Sequence, residues 1–276
     1  MRFALCNEVL ASMPLERQCD YAAQLGYDGL EIAPYTIFDA PDAVSAAEAS
    51  RVRAIVGRAG LVVTSLHWLL VKPAKLSLTD PDTSIRTRTL EVMTRLTGLC
   101  AALGGNVLVH GSPKQRQIAP GETHAVARSR LVDALGAVAL VAEREGVVYC
   151  IEPLSREETA LINTIAEAAE LVREVAHPNL RTMVDCSAAG LTETESVPAL
   201  LDRWLPTGLI AHIQINDPNR RAPGQGTMRF APIAETLVRH GYSGTVAVEP
   251  FDYVPDGMGA AAFASGYWQG VCETLN

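Results

Sequence analysis

Four oxygen-bearing side chains occupy matching points in the second half of the sequence, each at or near the end of a short apolar run. Glu152 ends VVYCIE, Asp185 ends RTMVD, Gln214 lies in HIQIND, and Glu249 ends TVAVE. A carboxylate in that setting is largely desolvated, which is costly unless it has a partner. Carboxylate and amide oxygens are ligands that hard divalent cations prefer. The pattern therefore predicts a metal site with these four residues as ligands.

An alternative is that the four residues are rim groups bonded to loop amides. Bonding to loop amides could explain a single Glu at the end of one run. Matched polar residues after four successive runs favour the metal site.

Three histidines also end apolar runs and are candidate substrate-binding residues: His67 in TSLHW, His110 in LVHGS and His212 in HIQ. For His67 and His110, a histidine satisfied by local hydrogen bonds is an equal alternative.

Charged residues near other predicted strand ends each allow two interpretations, so they indicate a function less specifically than the four predicted ligands do. Glu31 either reaches the same mouth or bonds to a neighbouring strand end. Lys114 and Arg116 either bind an anionic group of a ligand or are solvated loop charges. The Pro- and Gly-containing segment DPNRRAPGQG reads as a loop, and its Arg220 and Arg221 are candidates for contacting a polyhydroxyl or anionic substrate.

The elements that must position these side chains alternate along the whole chain. Short apolar runs predict eight strands, and Ala- and Leu-rich segments with helical spacing follow each one. The predicted strands are 3–6, 29–32, 61–66, 106–110, 147–152, 181–185, 209–215 and 245–249. The predicted helices are 15–25, 43–59, 84–103, 122–145, 164–175, 197–204, 230–240 and 260–274.

Eight strand–helix units in succession predict an α/β fold, a (β/α)₈ barrel that forms one domain over residues 1–276. An open doubly wound sheet is the competitor, but LCNEVLASMP is not the Gly-rich phosphate loop expected after its first strand. In a barrel the carboxyl ends of the strands build the active site. The barrel therefore brings the four predicted ligands to one mouth.

Composition restricts the functional classes. Hydrophobic residues make up 48% of the chain, and the net charge is −8, with 23 basic against 31 acidic residues, so we expect no nucleic-acid partner. No run approaches the roughly 18 apolar residues of a membrane span, and the amino terminus lacks a signal-peptide pattern. The six cysteines form no C-x-x-C pair. We expect a reduced, cytoplasmic protein without a membrane partner.

Several motifs resemble those of the xylose isomerase-like TIM barrels, a group of sugar isomerases and epimerases that also contains endonuclease IV. They are YDGLEIAP at 27–34, VHGSPKQR at 109–116, IEPLSREET at 151–159, HIQINDPNRRAPGQG at 212–226 and GYSGTVAVEPFDY at 241–253. The order Glu, Asp, His or Gln, Glu on strands five to eight matches the metal ligands of that group. The resemblance also implies a homo-oligomer, a dimer or tetramer.

Two positions depart from the ketose 3-epimerases within this group. Their H-x-H motif reads His212-Ile213-Gln214 here, so Gln214 takes the ligand position, as in hydroxypyruvate isomerase. An all-oxygen site favours Mn²⁺ or Mg²⁺, with Co²⁺ acceptable, and disfavours Zn²⁺. Ala188 replaces a His that reaches the sugar. Glu158 and Arg220 match residues that contact the substrate.

The resemblance implies a metal-dependent isomerase or epimerase of a small sugar or hydroxy-keto compound, acting through an enediolate. Glu152 and Glu249 are then the catalytic acid/base pair as well as metal ligands. A metal-assisted lyase or hydrolase acting on an oxidised sugar or cyclitol at the same site is the alternative. Two others are less favoured: an endonuclease, which needs more histidine ligands, and a metal-binding protein without catalysis.

Overall fold

Eight parallel strands follow one another around a closed barrel, β1 to β8, with β1 also paired to β8. The computed structural model describes residues 1–275. The strands are β1 (Arg2–Cys6), β2 (Gly29–Ile32), β3 (Val62–Leu66), β4 (Val107–His110), β5 (Val148–Ile151), β6 (Leu180–Asp185), β7 (Ile210–Ile215) and β8 (Thr245–Val248). The predicted closed (β/α)₈ architecture is confirmed.

Helices cover the outside of the barrel. They are α1 (Leu15–Gln24), α2 (Pro34–Ile37), α3 (Ala46–Arg58), α4 (Thr83–Leu103), α5 (His124–Glu145), α6 (Ile165–Val175), α7 (Cys186–Thr192), α8 (Val197–Trp204), α9 (Ala231–Arg239) and α10 (Gly257–Glu273). Short 3₁₀ turns lie at Asn7–Leu10, Pro41–Ala43, Pro113–Arg116 and Leu205–Thr207. Within residues 1–275, no helix combines the length and apolar character needed to cross a bilayer.

Local sequence explains where the long helices begin and end. Ser45 and Glu48 form a reciprocal capping box at the start of α3, and Thr123 caps α5 through the backbone N–H of Val126. Gly104 and Gly146 end α4 and α5 with φ of 90° and 68°, the left-handed region that glycine enters without strain. These signals made the predicted bounds of α4 and α5 accurate to within two residues.

The predicted bounds need two kinds of correction. Glu152 and Glu249 lie one residue beyond β5 and β8 rather than inside them. Helices α2 and α7 were not predicted, because each is short and lacks an apolar stripe of helical period. Helix α7 starts immediately after Asp185, whose side chain accepts a hydrogen bond from the backbone N–H of Ala188.

The strand register brings the polar ends together. Asp185 is the register partner of Gln214 across β6 and β7, and Ile215 is the partner of Val248 across β7 and β8. Strand residues are almost all buried, as expected for parallel strands covered on the outside by helices. Residues at the carboxyl ends of β5 to β8 therefore face one shared space.

Candidate functional site

Three carboxylates converge at the carboxyl-terminal mouth of the barrel. Glu152, Asp185 and Glu249 each offer an oxygen within 4.8 Å of the others, and all three are buried. Burial and the charges of Glu249 and Asp185 raise the pKa of Glu152 well above its usual value. Burial likewise raises the pKa of Asp185 to about 6 and that of Glu249 to about 8. Keeping all three carboxyl groups ionised in this buried cluster costs free energy unless a cation lies between them.

Asn216 connects the last three strands to this cluster. Its side-chain amide donates to Asp185 Oδ2 at 2.8 Å and to the backbone carbonyl of Glu249 at 3.0 Å. Its Oδ1 accepts from the backbone N–H of Ser187 at 2.8 Å. The other Asp185 oxygen accepts from the backbone N–H of Ala188 at 2.6 Å. The carboxylate of Asp185 is therefore fixed by Asn216, which directly follows β7, and by the first turn of α7.

Glu152 is held by the loop that follows β4. Arg116 is fully buried, and its Nη2 donates to the backbone carbonyl of Glu152 at 2.7 Å. Its Nε and Nη1 have no hydrogen-bond partner among residues 1–275. A solvated loop charge is thus the wrong interpretation of Arg116. The guanidinium supplies positive charge near the Glu152 carboxylate.

Gly111 makes the closest approach to Glu152. A Cβ at Gly111 would lie 2.3 Å from Glu152 Oε2, far inside van der Waals contact. We expect Gly111→Ala to displace this carboxylate, because the Glu152 backbone is fixed by Arg116. Mn²⁺ affinity, measured by electron paramagnetic resonance, should fall at least about tenfold, within the range for disturbed ligand positioning. Gly136→Ala in α5 is the control, because a Cβ there would make only an ordinary contact of 3.9 Å with the Val175 side chain. Unchanged Mn²⁺ affinity in Gly111→Ala would contradict the account.

The amide of Gln214 is oriented by Glu31 from the opposite side of the barrel. Gln214 Nε2 donates to Glu31 Oε1 at 2.6 Å. A carboxylate only accepts, so the amide nitrogen must face Glu31 and the oxygen must face away. Gln214 Oε1 is buried and has no partner among the described residues. A buried oxygen without a partner, on the register partner of Asp185, suits a cation ligand.

Glu31 is itself the centre of a buried network. It accepts hydrogen bonds from Ser65 Oγ and from Cys6 Sγ, and His212 Nε2 lies 2.7 Å from its Oε2. Burial alone would raise the pKa of Glu31, but His212 and His67 outweigh this and hold the pKa well below its usual range. Glu31 therefore remains a carboxylate that can only accept the Gln214 amide. Of the two predicted alternatives for Glu31, bonding to a neighbouring strand is the one observed, through Cys6 on β1 and Ser65 on β3. The contact with Gln214 across the barrel was not predicted.

Glu31→Gln tests this orientation. The new amide can donate to Gln214 Oε1, which would turn that oxygen away from the carboxylates. We expect Mn²⁺ affinity to fall by about 10- to 100-fold, as for other residues that orient metal ligands. Ser65→Ala is the matched control, since it removes a partner of Glu31 but leaves the Gln214 contact. Equal losses in the two variants would mean that the effect is general weakening of the network.

His67 connects two carboxylates and is 1% exposed. Its Nδ1 lies 2.8 Å from Glu249 Oε1, and its Nε2 lies 2.9 Å from Glu8 Oε2. Burial alone would lower the pKa of His67, but Glu8 and Glu249 raise it well above its usual value. His67 thus holds one oxygen of Glu249, while Glu249 Oε2 has no partner among the described residues. With Cys6, these residues form a second cluster of potential ligands that shares Glu249.

The residues predicted to contact substrate divide into two groups. Glu158 and Arg220 line a cavity of about 340 Å³ together with Glu152 and Asp185. His110 and His212 are fully buried in the barrel wall and line neither this cavity nor the narrower one beside it. His110 Nδ1 pairs with the Tyr149 hydroxyl at 2.9 Å. Burial and nearby Arg116 lower the pKa of His110 to about 3, so it is neutral.

The narrower cavity, about 30 Å³, lies between the site and the loops after β3 and β4. Trp68 and Phe251 form part of its wall, with ring centroids 6.2 Å apart at 75°. Phe251 also lines the larger cavity and supports Arg220, whose guanidinium carbon lies 4.7 Å above the Phe251 ring. Phe251 is therefore the aromatic residue that lines both cavities, and Glu152 of the carboxylate cluster also lines both.

The sequence did not predict where four residues lie relative to the carboxylate cluster: Asn216, Arg116, Glu8 and Glu31. Asn216 and Glu31 could be noted as polar residues at strand ends, but nothing in the sequence indicates their partners. Arg116 resembles any loop arginine.

Comparisons with known proteins agree with this architecture. The family model described as "xylose isomerase-like TIM barrel" matches residues 19–266. D-psicose 3-epimerase of Ruminiclostridium cellulolyticum is 30% identical over 235 residues, 83% of this chain and 75% of the relative. 3-Dehydro-D-guloside 4-epimerase of Escherichia coli is 32% identical over 122 residues, 44% of this chain and 45% of the relative. A crystal structure of D-psicose 3-epimerase in the presence of D-fructose superposes with a TM-score of 0.83 at 22% identity, covering 98% of this chain and 99% of the other.

Proposed function

Because this chain belongs to the xylose isomerase-like TIM barrel family, we propose that it is a sugar epimerase that requires a divalent cation. The observation that carries the proposal is the buried meeting point of Glu152 and Glu249, together with Asp185 and the unpartnered oxygen of Gln214. The names of the relatives support epimerisation of a keto-sugar over the lyase or hydrolase alternative.

The cation would be held through one oxygen each of Glu152, Asp185, Gln214 and Glu249. Glu249 Oε2 and Gln214 Oε1 lack other partners, which supports their role as ligands. The all-oxygen set suits Mn²⁺ or Mg²⁺, and Co²⁺ is acceptable. Once bound, the cation would supply Lewis-acid stabilisation of the negative charge that develops on the substrate carbonyl oxygen.

The chain's own residues perform the proton transfers. We assign one of Glu152 and Glu249 to remove the proton from the carbon beside the substrate carbonyl, and the other to return a proton from the opposite face of the enediolate. Positioned proton transfer of this kind needs groups whose pKa lies near the working pH. Burial raises the pKa of both carboxyls, which supports this role.

Substrate orientation is assigned to residues around the larger cavity. Arg220 is held on Phe251 and offers donors to sugar hydroxyls, while Glu158 offers an acceptor. One Glu158 oxygen already accepts from the hydroxyl and the backbone N–H of Ser155, at 2.8 and 3.1 Å, which fixes the carboxylate. Trp68 and Phe251 would exclude water from one side of the reacting carbons.

A conversion assay tests the proposal. The protein, stripped of metal and then supplied with Mn²⁺, is incubated with D-psicose, D-fructose, D-tagatose, L-ribulose and hydroxypyruvate, and the products are identified by NMR. We expect interconversion of at least one pair of ketose epimers, dependent on Mn²⁺. Conversion of hydroxypyruvate alone would instead favour an aldose–ketose type of isomerisation. No conversion of any of these ketoses, or of a disaccharide with a ketone at C3 of one ring supplied as a further probe, by protein that binds Mn²⁺ would overturn the proposal.

A further inference from the structure

Resting on the proposed epimerase function, we propose that the natural substrate is a keto-sugar carrying a neutral glycosyl group, rather than a free or phosphorylated ketose. The proposal concerns the lining of the larger cavity to which the proposed function assigns no contact with the reacting sugar. We call this part the outer lobe and define it by Ser155, Glu157, Ser187, Ala188, Leu191 and Pro218. Glu157 and Leu191 of the outer lobe are exposed, and the same cavity is lined by Glu152 and Asp185 of the carboxylate cluster.

The first observation is space. The cavity measures about 340 Å³, which lies in the range for ligands larger than a single sugar ring. Helix α7 forms one side of the outer lobe, and its position is fixed because Asp185 caps it and Asn216 binds the N–H of Ser187. The small side chain of Ala188 on this helix leaves the lobe open directly beside Asp185. A second group attached to the reacting sugar can therefore extend outward without displacing a side chain.

The second observation is the mixed character of the walls. Ala188, Leu191 and Pro218 present apolar surface, and Leu191 is 55% exposed. Ser155, Ser187 and Glu157 place hydroxyl and carboxylate groups around the same space. A pyranose ring has apolar C–H faces and a rim of hydroxyls, so these walls match both features.

The third observation is charge. The cavity is lined by four carboxylates (Glu152, Glu157, Glu158 and Asp185), and Arg220 is the single cationic side chain among its described lining residues. The Arg220 guanidinium lies on Phe251, which also lines the narrower cavity, and the proposed function assigns Arg220 to the reacting sugar. Glu157 belongs to the outer lobe, and no lysine or second arginine offsets it there. A phosphate in the lobe would be repelled, whereas neutral hydroxyls can donate to Glu157.

Three ketoses that differ only at O6 provide the test: D-fructose, D-fructose 6-phosphate, and isomaltulose, in which O6 carries a glucosyl group. A disaccharide with a ketone at C3 of one ring tests a second attachment point. The full-length Mn²⁺-loaded protein is incubated with each in D₂O, and deuterium uptake beside the carbonyl gives kcat/KM. We expect at least one disaccharide to exceed fructose by about tenfold or more, since one well-filled subsite has effects of this size. Fructose 6-phosphate should be the poorest substrate.

Two variants locate the effect. Ala188→Leu fills the outer lobe, and Leu191→Ser removes apolar wall, so both should lower the ratio of disaccharide to fructose kcat/KM, the first by about tenfold. Leu140→Ser, at a 54% exposed leucine on the outer face of α5, is the matched control and should leave the ratio unchanged. Thermal unfolding of all three variants identifies any that fail to fold.

The outcomes separate the two proposals. Fructose or its phosphate as the best substrate, or an unchanged ratio in folded Ala188→Leu and Leu191→Ser, would overturn the outer-lobe assignment and leave epimerase function standing. Absence of deuterium uptake from every probe, by protein that binds Mn²⁺, would overturn the epimerase proposal and this inference with it.

Discussion

Glu249→Gln should lower kcat for the keto-sugar by about 10²- to 10⁴-fold, the size expected for loss of a positioned acid/base group. The neighbouring His67 makes the effect severe. His67 donates toward position 249, so the oxygen of the new amide will face His67 and the NH₂ will face the place of the cation. The variant therefore loses the proton-transfer group and also presents a donor where a ligand is needed.

Steady-state kinetics and Mn²⁺ titration together check this prediction. Kinetics at saturating Mn²⁺ separates the loss in kcat from weaker metal binding. Glu235→Gln, at an exposed position on α9, is the control for the same chemical change away from the site. Near-normal kcat in a folded Glu249→Gln at saturating Mn²⁺ would contradict the role of this carboxylate.

Removal of divalent cations is expected to abolish turnover and to lower the unfolding temperature. Without a cation the cluster contains three buried carboxyls whose mutual repulsion and desolvation oppose folding. Returning Mn²⁺ at about 100 times its Kd should stabilise the protein by about 2.7 kcal/mol, which corresponds to a rise of roughly 5–10 °C for a chain of this size. Differential scanning calorimetry with and without Mn²⁺ measures this shift.

The affinity of the site for Mn²⁺, and so the stabilisation by Mn²⁺, should also depend on pH. Ligands must lose their protons to bind a cation, and burial raises the pKa of Asp185 to about 6 and of Glu249 to about 8. Mn²⁺ affinity should thus weaken as the pH falls from 8 toward 6, because protons compete for the same oxygens. In Asp185→Asn the stabilisation by Mn²⁺ should largely disappear. If Mn²⁺ does not change the unfolding temperature of the wild-type protein, the proposed metal site is contradicted.

The sequence predicted the barrel well because its signals are local. Each strand is a short apolar run and each long helix carries its own cap, so the alternation can be read without tertiary contacts. The convergence of Glu152, Asp185 and Glu249 then follows from topology, since the carboxyl ends of barrel strands meet at one mouth. Their roles as ligands and catalysts stay predictions for the experiments above.

The supporting contacts could not be predicted, because they join residues far apart in the chain. Glu31 orients Gln214 across 183 positions, and His67 reaches Glu249 across 182. Helix α7 depends on a cap from Asp185, which the sequence marks only as a possible ligand. The alternation of strands shows that a residue reaches the mouth, but only the closed barrel shows which side chain it meets there.

The most direct test of the central claim is the origin of the hydrogen on the inverted carbon. Epimerisation by two carboxylates on opposite faces, Glu152 and Glu249, removes the substrate proton with one and delivers a solvent-derived proton with the other. In D₂O with Mn²⁺, every product molecule formed in the first turnover should therefore carry deuterium at that carbon, by NMR and mass spectrometry. Product that retains the substrate's own hydrogen there would contradict the two-carboxylate account.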